Sequence, residues 1–125
     1  MIFVARLAVG ATPGEALHVV AGVMLTVVYA IYQAAHWNRV APFRARLDYA
    51  LGLIAALSMA LANLTGLALA VFWWRARSAL PPVSADYPPL LSGAHNIFSM
   101  LVLTFVGAHL AAVLMRERRR PAGGR

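Results

Sequence analysis

Four histidines, His18, His36, His95 and His109, are the side chains of this sequence best suited to chemistry, and all four lie inside long apolar stretches. An ionisable group in such a setting is costly and marks a functional position. The 18-residue step from His18 to His36 closes five helical turns at 100° per residue, and the 14-residue step from His95 to His109 stops about 40° short of four. Each helix therefore carries two rings on one face, separated along its axis by about 27 Å and about 21 Å. On helices running the same way, His18 comes level with His95, and His36 with His109. Two facing neutral imidazoles leave a place for something between them. The iron of a haem takes two axial ligands on opposite sides of its plane, and His is a standard one. A tetrahedral metal would want more ligands at each level, and the chain has no cysteine.

The elements that must position these rings are legible in the charge distribution. Of 125 residues, 62% are hydrophobic and 12% charged, against about 25% charged in a soluble domain. Uncharged runs of 23, 26 and 29 residues separate Glu15 from Arg39, Asp48 from Arg75, and Asp86 from Arg116. Each exceeds the roughly 20 residues that a helix needs to cross a bilayer. A soluble globular fold and a single-span anchor are both excluded. The expected architecture is an all-α membrane protein forming one domain over 1–125, with spans at about 16–37, 47–74 and 90–115 and a polar tail at 116–125. Odd connectivity makes spans one and three parallel, as the histidine levels require. The absence of cysteine also removes disulfides, iron–sulfur clusters and covalent haem attachment. Residues 1–14 resemble a signal peptide only loosely and read as a short outer segment leading into the first span.

The net charge of +7 comes entirely from arginine as the basic residue. Arg6, Arg75 and Arg77 fall on one side of the membrane, and Arg39, Arg44, Arg46, Arg116, Arg118, Arg119, Arg120 and Arg125 on the other. Three against eight places the N-terminus outside and the C-terminus in the cytoplasm. The arginines are therefore topology anchors and lipid contacts, and a nucleic-acid partner is not expected. Arg39, Arg44, Arg46 and Arg116 inside, and Arg75 and Arg77 besides Arg6 outside, are also candidate partners for anionic haem propionates.

Pro13, Gly14 and Glu15 make a helix start. Glu15, one turn before His18, is either a second-shell acceptor for that ring or a partner for the helix dipole. The histidine face of span one reads Gly22, Leu25, Thr26, Tyr29, Tyr32 and Gln33, with Val20, Val27, Val28 and Ile31 opposite, facing lipid. Span two carries small or polar residues at Gly52, Ala56, Met59, Asn63, Gly66 and Ala70, a stripe suited to close helix packing or to a flat ligand. Asn63 is its one member in need of a hydrogen-bond partner. The loop Arg75 to Pro89 is held out of helix by its proline pairs. In span three, Ser92 and Ser99 flank His95, Val102, Phe105 and Val106 fill the interval to His109, and Gly107 is expected to make room for a porphyrin edge.

The segments LHVVAGVMLTVVYAIYQAAHW at Leu17–Trp37, NLTGLALA at Asn63–Ala70 and SGAHNIFSMLVLTFVGAHL at Ser92–Leu110 resemble di-haem membrane cytochromes b. They are closest to the small bacterial cytochrome b-561-like proteins, including those associated with flavinylated redox partners. The resemblance covers most of the chain, and its specificity rests on the four histidines. It implies two noncovalent haems b, with His18, His95, His36 and His109 as axial ligands to iron, in a multi-pass protein of the bacterial cytoplasmic membrane. Two departures stand out. The spacings of 18 and 14 leave about 6 Å to be absorbed by tilt, and three spans are fewer than the four or more common in such cytochromes.

The expected function is electron carriage across or within the membrane as a non-catalytic subunit of a larger redox complex. A pigment-binding subunit, with each His on its own magnesium macrocycle, and a structural or assembly subunit, with His in interhelical hydrogen bonds, are the alternatives. No flavin or nicotinamide fingerprint is present. The expected partners are other membrane redox subunits or a second copy, together with the lipid bilayer. A quinone is a further possibility, for which Asp48, Tyr49, Asp86 and Tyr87 at the two faces offer polar groups.

Overall fold

The computed structural model describes residues 13–40, 42 and 46–119. It contains three long helices and, among the described residues, no strand: α1 (Pro13–Val40), α2 (Leu47–Ser78) and α3 (Pro89–Arg118). All three are long and apolar enough to cross a membrane. Each outruns its expected span by a turn or so. The apolar run sets the part that lies in hydrocarbon, while intrahelical hydrogen bonding continues into the polar margin. The boundaries follow from local chemistry. α1 stops two residues ahead of Pro42, and the residue before a proline is disfavoured in a helix. Pro89 occupies the first turn of α3, where its missing N–H costs nothing.

α2 is the central helix. It packs along its length against α3 as an antiparallel hairpin, while α1 leans on α2 and scarcely meets α3. The five residues buried among those described, Ala55, Ser58, Ala62, Trp73 and Arg77, all belong to α2. Ala55, Ser58 and Ala62 recur at three- and four-residue steps and let α3 approach closely, as small residues do between membrane helices. The valines and isoleucine assigned to the lipid side of α1 are exposed, from Val20 at 49% to Ile31 at 69%.

Two polar clasps and one aromatic contact hold α1 on the hairpin. At one end Glu15 accepts hydrogen bonds from Arg77 (2.9 Å) and from the Tyr87 hydroxyl (2.6 Å). Midway, the Tyr29 hydroxyl donates to the Ala56 carbonyl at 2.8 Å. At the other end the rings of Trp37 and Tyr49 lie 6.5 Å apart. Helix hydroxyls are satisfied internally: Thr26, Ser92, Ser99 and Thr104 each donate to the carbonyl four residues earlier, as a medium without water demands. Because α1 stands off α3, two clefts open between them, floored by α2.

Candidate functional site: two histidine clefts

The first cleft, of about 490 Å³, is lined by His18 from α1 and His95 from α3; the second, of about 280 Å³, is lined by His36 and His109. Each cleft is thus lined by the two histidines that helical phase assigns to one level. The His18 and His95 ring centres lie 6.0 Å apart, with their planes at 76°. The expected face of α1 lines the same space, with Gly22, Leu25 and Thr26 in the first cleft and Tyr29, Tyr32 and Gln33 in the second. Met59 of α2 lines both.

The α3 histidines are fixed by α2. His95 Nδ1 lies 3.0 Å from the Ala62 carbonyl, and His109 Nδ1 lies 2.7 Å from the Asp48 carbonyl. A carbonyl only accepts, so in both rings Nδ1 carries the hydrogen, and in the neutral imidazole Nε2 is then the nitrogen with a lone pair. This is the arrangement by which proteins orient a metal-binding imidazole and raise its basicity. Gly66 and Gly52, one turn beyond those carbonyls, face the same two rings. A Cβ on Gly66 would sit 3.0 Å from His95 Cε1, and one on Gly52 3.0 Å from Cε1 and Nδ1 of His109.

Carbonyl, glycine and histidine thus recur as a unit: Ala62, Gly66 and His95, then Asp48, Gly52 and His109. Each member is displaced by 14 residues, backward on α2 and forward on α3, as an antiparallel pair requires. The small-residue stripe of α2 therefore has two members that admit ligand rings. Gly107, expected to admit a porphyrin edge, does not belong to this set: it is exposed, and a Cβ there would meet nothing within 4 Å. Lying two residues before His109, it is turned about 160° away from the histidine face.

The α1 histidines are held differently. His36 stacks on Tyr32, one turn earlier, at 5.1 Å between ring centres, with Nδ1 3.3 Å from the Tyr32 hydroxyl. His18 is exposed at the mouth of the first cleft. Glu15 does not support it. Its carboxylate is taken by Arg77, only 4% exposed, and by Tyr87, so of its two readings the second-shell role gives way to an interhelical clasp, while its place in the first turn of α1 keeps it beside the helix dipole. Burial first, and then the hydrogen bond to Glu15, pushes the Tyr87 phenol up to about 12.

Arg116 forms an ion pair with the Asp48 carboxylate, closing the hairpin two turns beyond His109. Arg39, Arg46 and Arg75 are exposed, whereas Arg44 lies outside the described residues. Asn63 reaches the first cleft, and its amide nitrogen has no partner among the described residues. No group of three or more His, Cys, Asp or Glu side chains that could hold a metal ion occurs among them either. The carbonyl acceptors and Thr65, whose hydroxyl oxygen lies 3.2 Å from His95 Nδ1, escaped the sequence reading. A backbone acceptor has no residue signature, but the equal 14-residue steps of the glycines and the α3 histidines were available to find the register. No family model matches this chain, and neither does any curated protein or solved structure.

Proposed function

We propose that the chain is a di-haem cytochrome b subunit of the b-561-like kind, moving electrons across or within the bacterial cytoplasmic membrane for a larger redox complex. The observation that carries this reading is the His18–His95 pair, 6.0 Å between ring centres, with His95 already committed through Nδ1. Two metal–imidazole bonds of about 2 Å each, with the depth of both rings added, place ring centres about 6 Å apart. The spacing of the pair therefore suits a single iron held from both sides, and the repeated carbonyl–glycine–histidine unit presents His109 in the same way to the second cleft, which His36 lines from α1.

A haem held by two histidines supplies one-electron chemistry at an iron with no open position. The residues of this chain supply the rest. His95 and His109 donate Nε2 from a rigid hairpin, and His18 and His36 complete each site from α1. The apolar lining, with Met59 shared by both clefts, keeps water away from the space between them. The exposed guanidiniums of Arg39 and Arg75 are the groups we assign to propionates, since Arg116 is engaged by Asp48. The arginine asymmetry puts the His18–His95 site towards the outer face and the His36–His109 site towards the cytoplasm.

The test is the reduced-minus-oxidised spectrum and the haem content of the purified protein. Two haems b per chain are expected, falling to one in His109→Ala. Chlorin bands would establish the pigment-binding alternative, and absence of any chromophore a structural role. Retention of both haems in His109→Ala would reject the ligand assignment.

A further inference from the structure

The repeated unit breaks at one position, and the break bears on the redox balance between the two sites. Carrying the 14-residue register along α2, Ala62 corresponds to Asp48, Gly66 to Gly52, and Thr65 to Leu51. At the first site, the Thr65 hydroxyl lies 2.8 Å from the Leu61 carbonyl, 3.0 Å from the Ala62 carbonyl and 3.2 Å from His95 Nδ1. Its hydrogen goes to one of the two carbonyls, because a helix hydroxyl in an apolar medium donates back to its own turn. The oxygen lone pairs then remain for the His95 N–H, which is shared between Ala62 and Thr65. At the second site the equivalent residue is an aliphatic leucine, and His109 Nδ1 is bonded to the Asp48 carbonyl alone.

We infer that Thr65 is a positioning residue that tunes the first iron site through His95, lowering its midpoint potential below the value the Ala62 carbonyl alone would set. This rests on the di-haem reading. A second acceptor on Nδ1–H draws that hydrogen outward and makes Nε2 a stronger donor, which favours the more positive iron. An iron held there would take up one electron from the reductant of the titration, and Thr65 would act only through the His95 Nδ1 hydrogen, with no bond made or broken. The hydroxyl is not needed to satisfy His95, whose hydrogen already has the Ala62 carbonyl. Its presence therefore changes the strength of donation and not the existence of the ligand. Packing alone would be served as well by valine, which has the same shape without the oxygen.

The experiment is a spectroscopic redox titration of the purified holoprotein, with the two haems assigned by the His109→Ala variant. In Thr65→Val both haems should stay bound, with the midpoint of the His95 site shifted upward and that of the His109 site unchanged. Thr65→Ser, which restores the oxygen, should bring the first midpoint back towards its original value. The reciprocal variant Leu51→Thr should lower the His109 site alone, and decides the matter should Thr65→Val not accumulate. Unchanged midpoints in Thr65→Val or in Leu51→Thr, or equal shifts at both sites, would overturn the inference and leave the di-haem reading standing. A native protein without haem would overturn both.

Discussion

At the scale of single residues, the site depends as much on what is missing from α2 as on what α3 presents. Gly66 leaves room for a ring whose Cε1 would otherwise lie 3.0 Å from a Cβ. That ring cannot retreat freely, because Nδ1 is tied to the Ala62 carbonyl. Gly66→Val should therefore displace His95 and cost about 1–3 kcal/mol of stability from overpacking. The expected outcome is loss of the first haem with the second retained, read from the spectrum. Gly52→Val should do the converse through His109. Gly107→Val, where nothing lies within 4 Å of a Cβ, should leave both spectra unaltered. Loss of haem in Gly107→Val with retention in Gly66→Val would reverse the assignment of these glycines.

At the scale of elements, much of the arrangement was legible in the amino-acid order and some of it was not. Charge-free runs identify the helices because a buried charge in hydrocarbon is prohibitive, and the phase of His18 and His36 identifies the cleft-facing side of α1. Contacts between residues 62 and 72 positions apart, such as Glu15 with Arg77 and Tyr87, have no such signature. They depend on how the α2–α3 loop folds back, and Glu15 was accordingly placed beside its sequence neighbour His18. That clasp carries its own prediction. The Tyr87 phenol titrates near 12 in the folded protein and near 10 when free. Its hydrogen bond therefore contributes fully below about pH 10, and the contribution is lost as pH rises towards 12. Tyr87→Phe should lower stability by about 1 kcal/mol, the worth of one hydrogen bond. The difference from wild type, measured by thermal unfolding in detergent, should hold steady to pH 10 and shrink above it. A difference that stays constant through pH 12 would show that the phenol does not hold α1 in this way.

At the scale of the whole molecule, the three helices form an open bundle. α2 floors both clefts and α1 and α3 wall them, but α1 scarcely meets α3, so no fourth helix of the described chain closes the side opposite α2. On either edge of that opening stand large apolar side chains such as Leu103 at 72% and Leu17 at 71% exposure. These are at ease against lipid or another helix. The polar contents of the clefts are not: Asn63 holds an amide nitrogen without a partner, and lipid satisfies no hydrogen bond. A flat cofactor set between α1 and α3 would likewise present an edge through the opening. The wall is expected to come from a second copy of this chain or from another membrane subunit. Mass measurement in mild detergent, with the chromophore followed at the same time, is the check. The haem should travel with particles containing more than one chain, and stripping them to the single chain should release haem or broaden its spectrum. A stable single chain that keeps two haems with unaltered bands would show that three helices and lipid are enough.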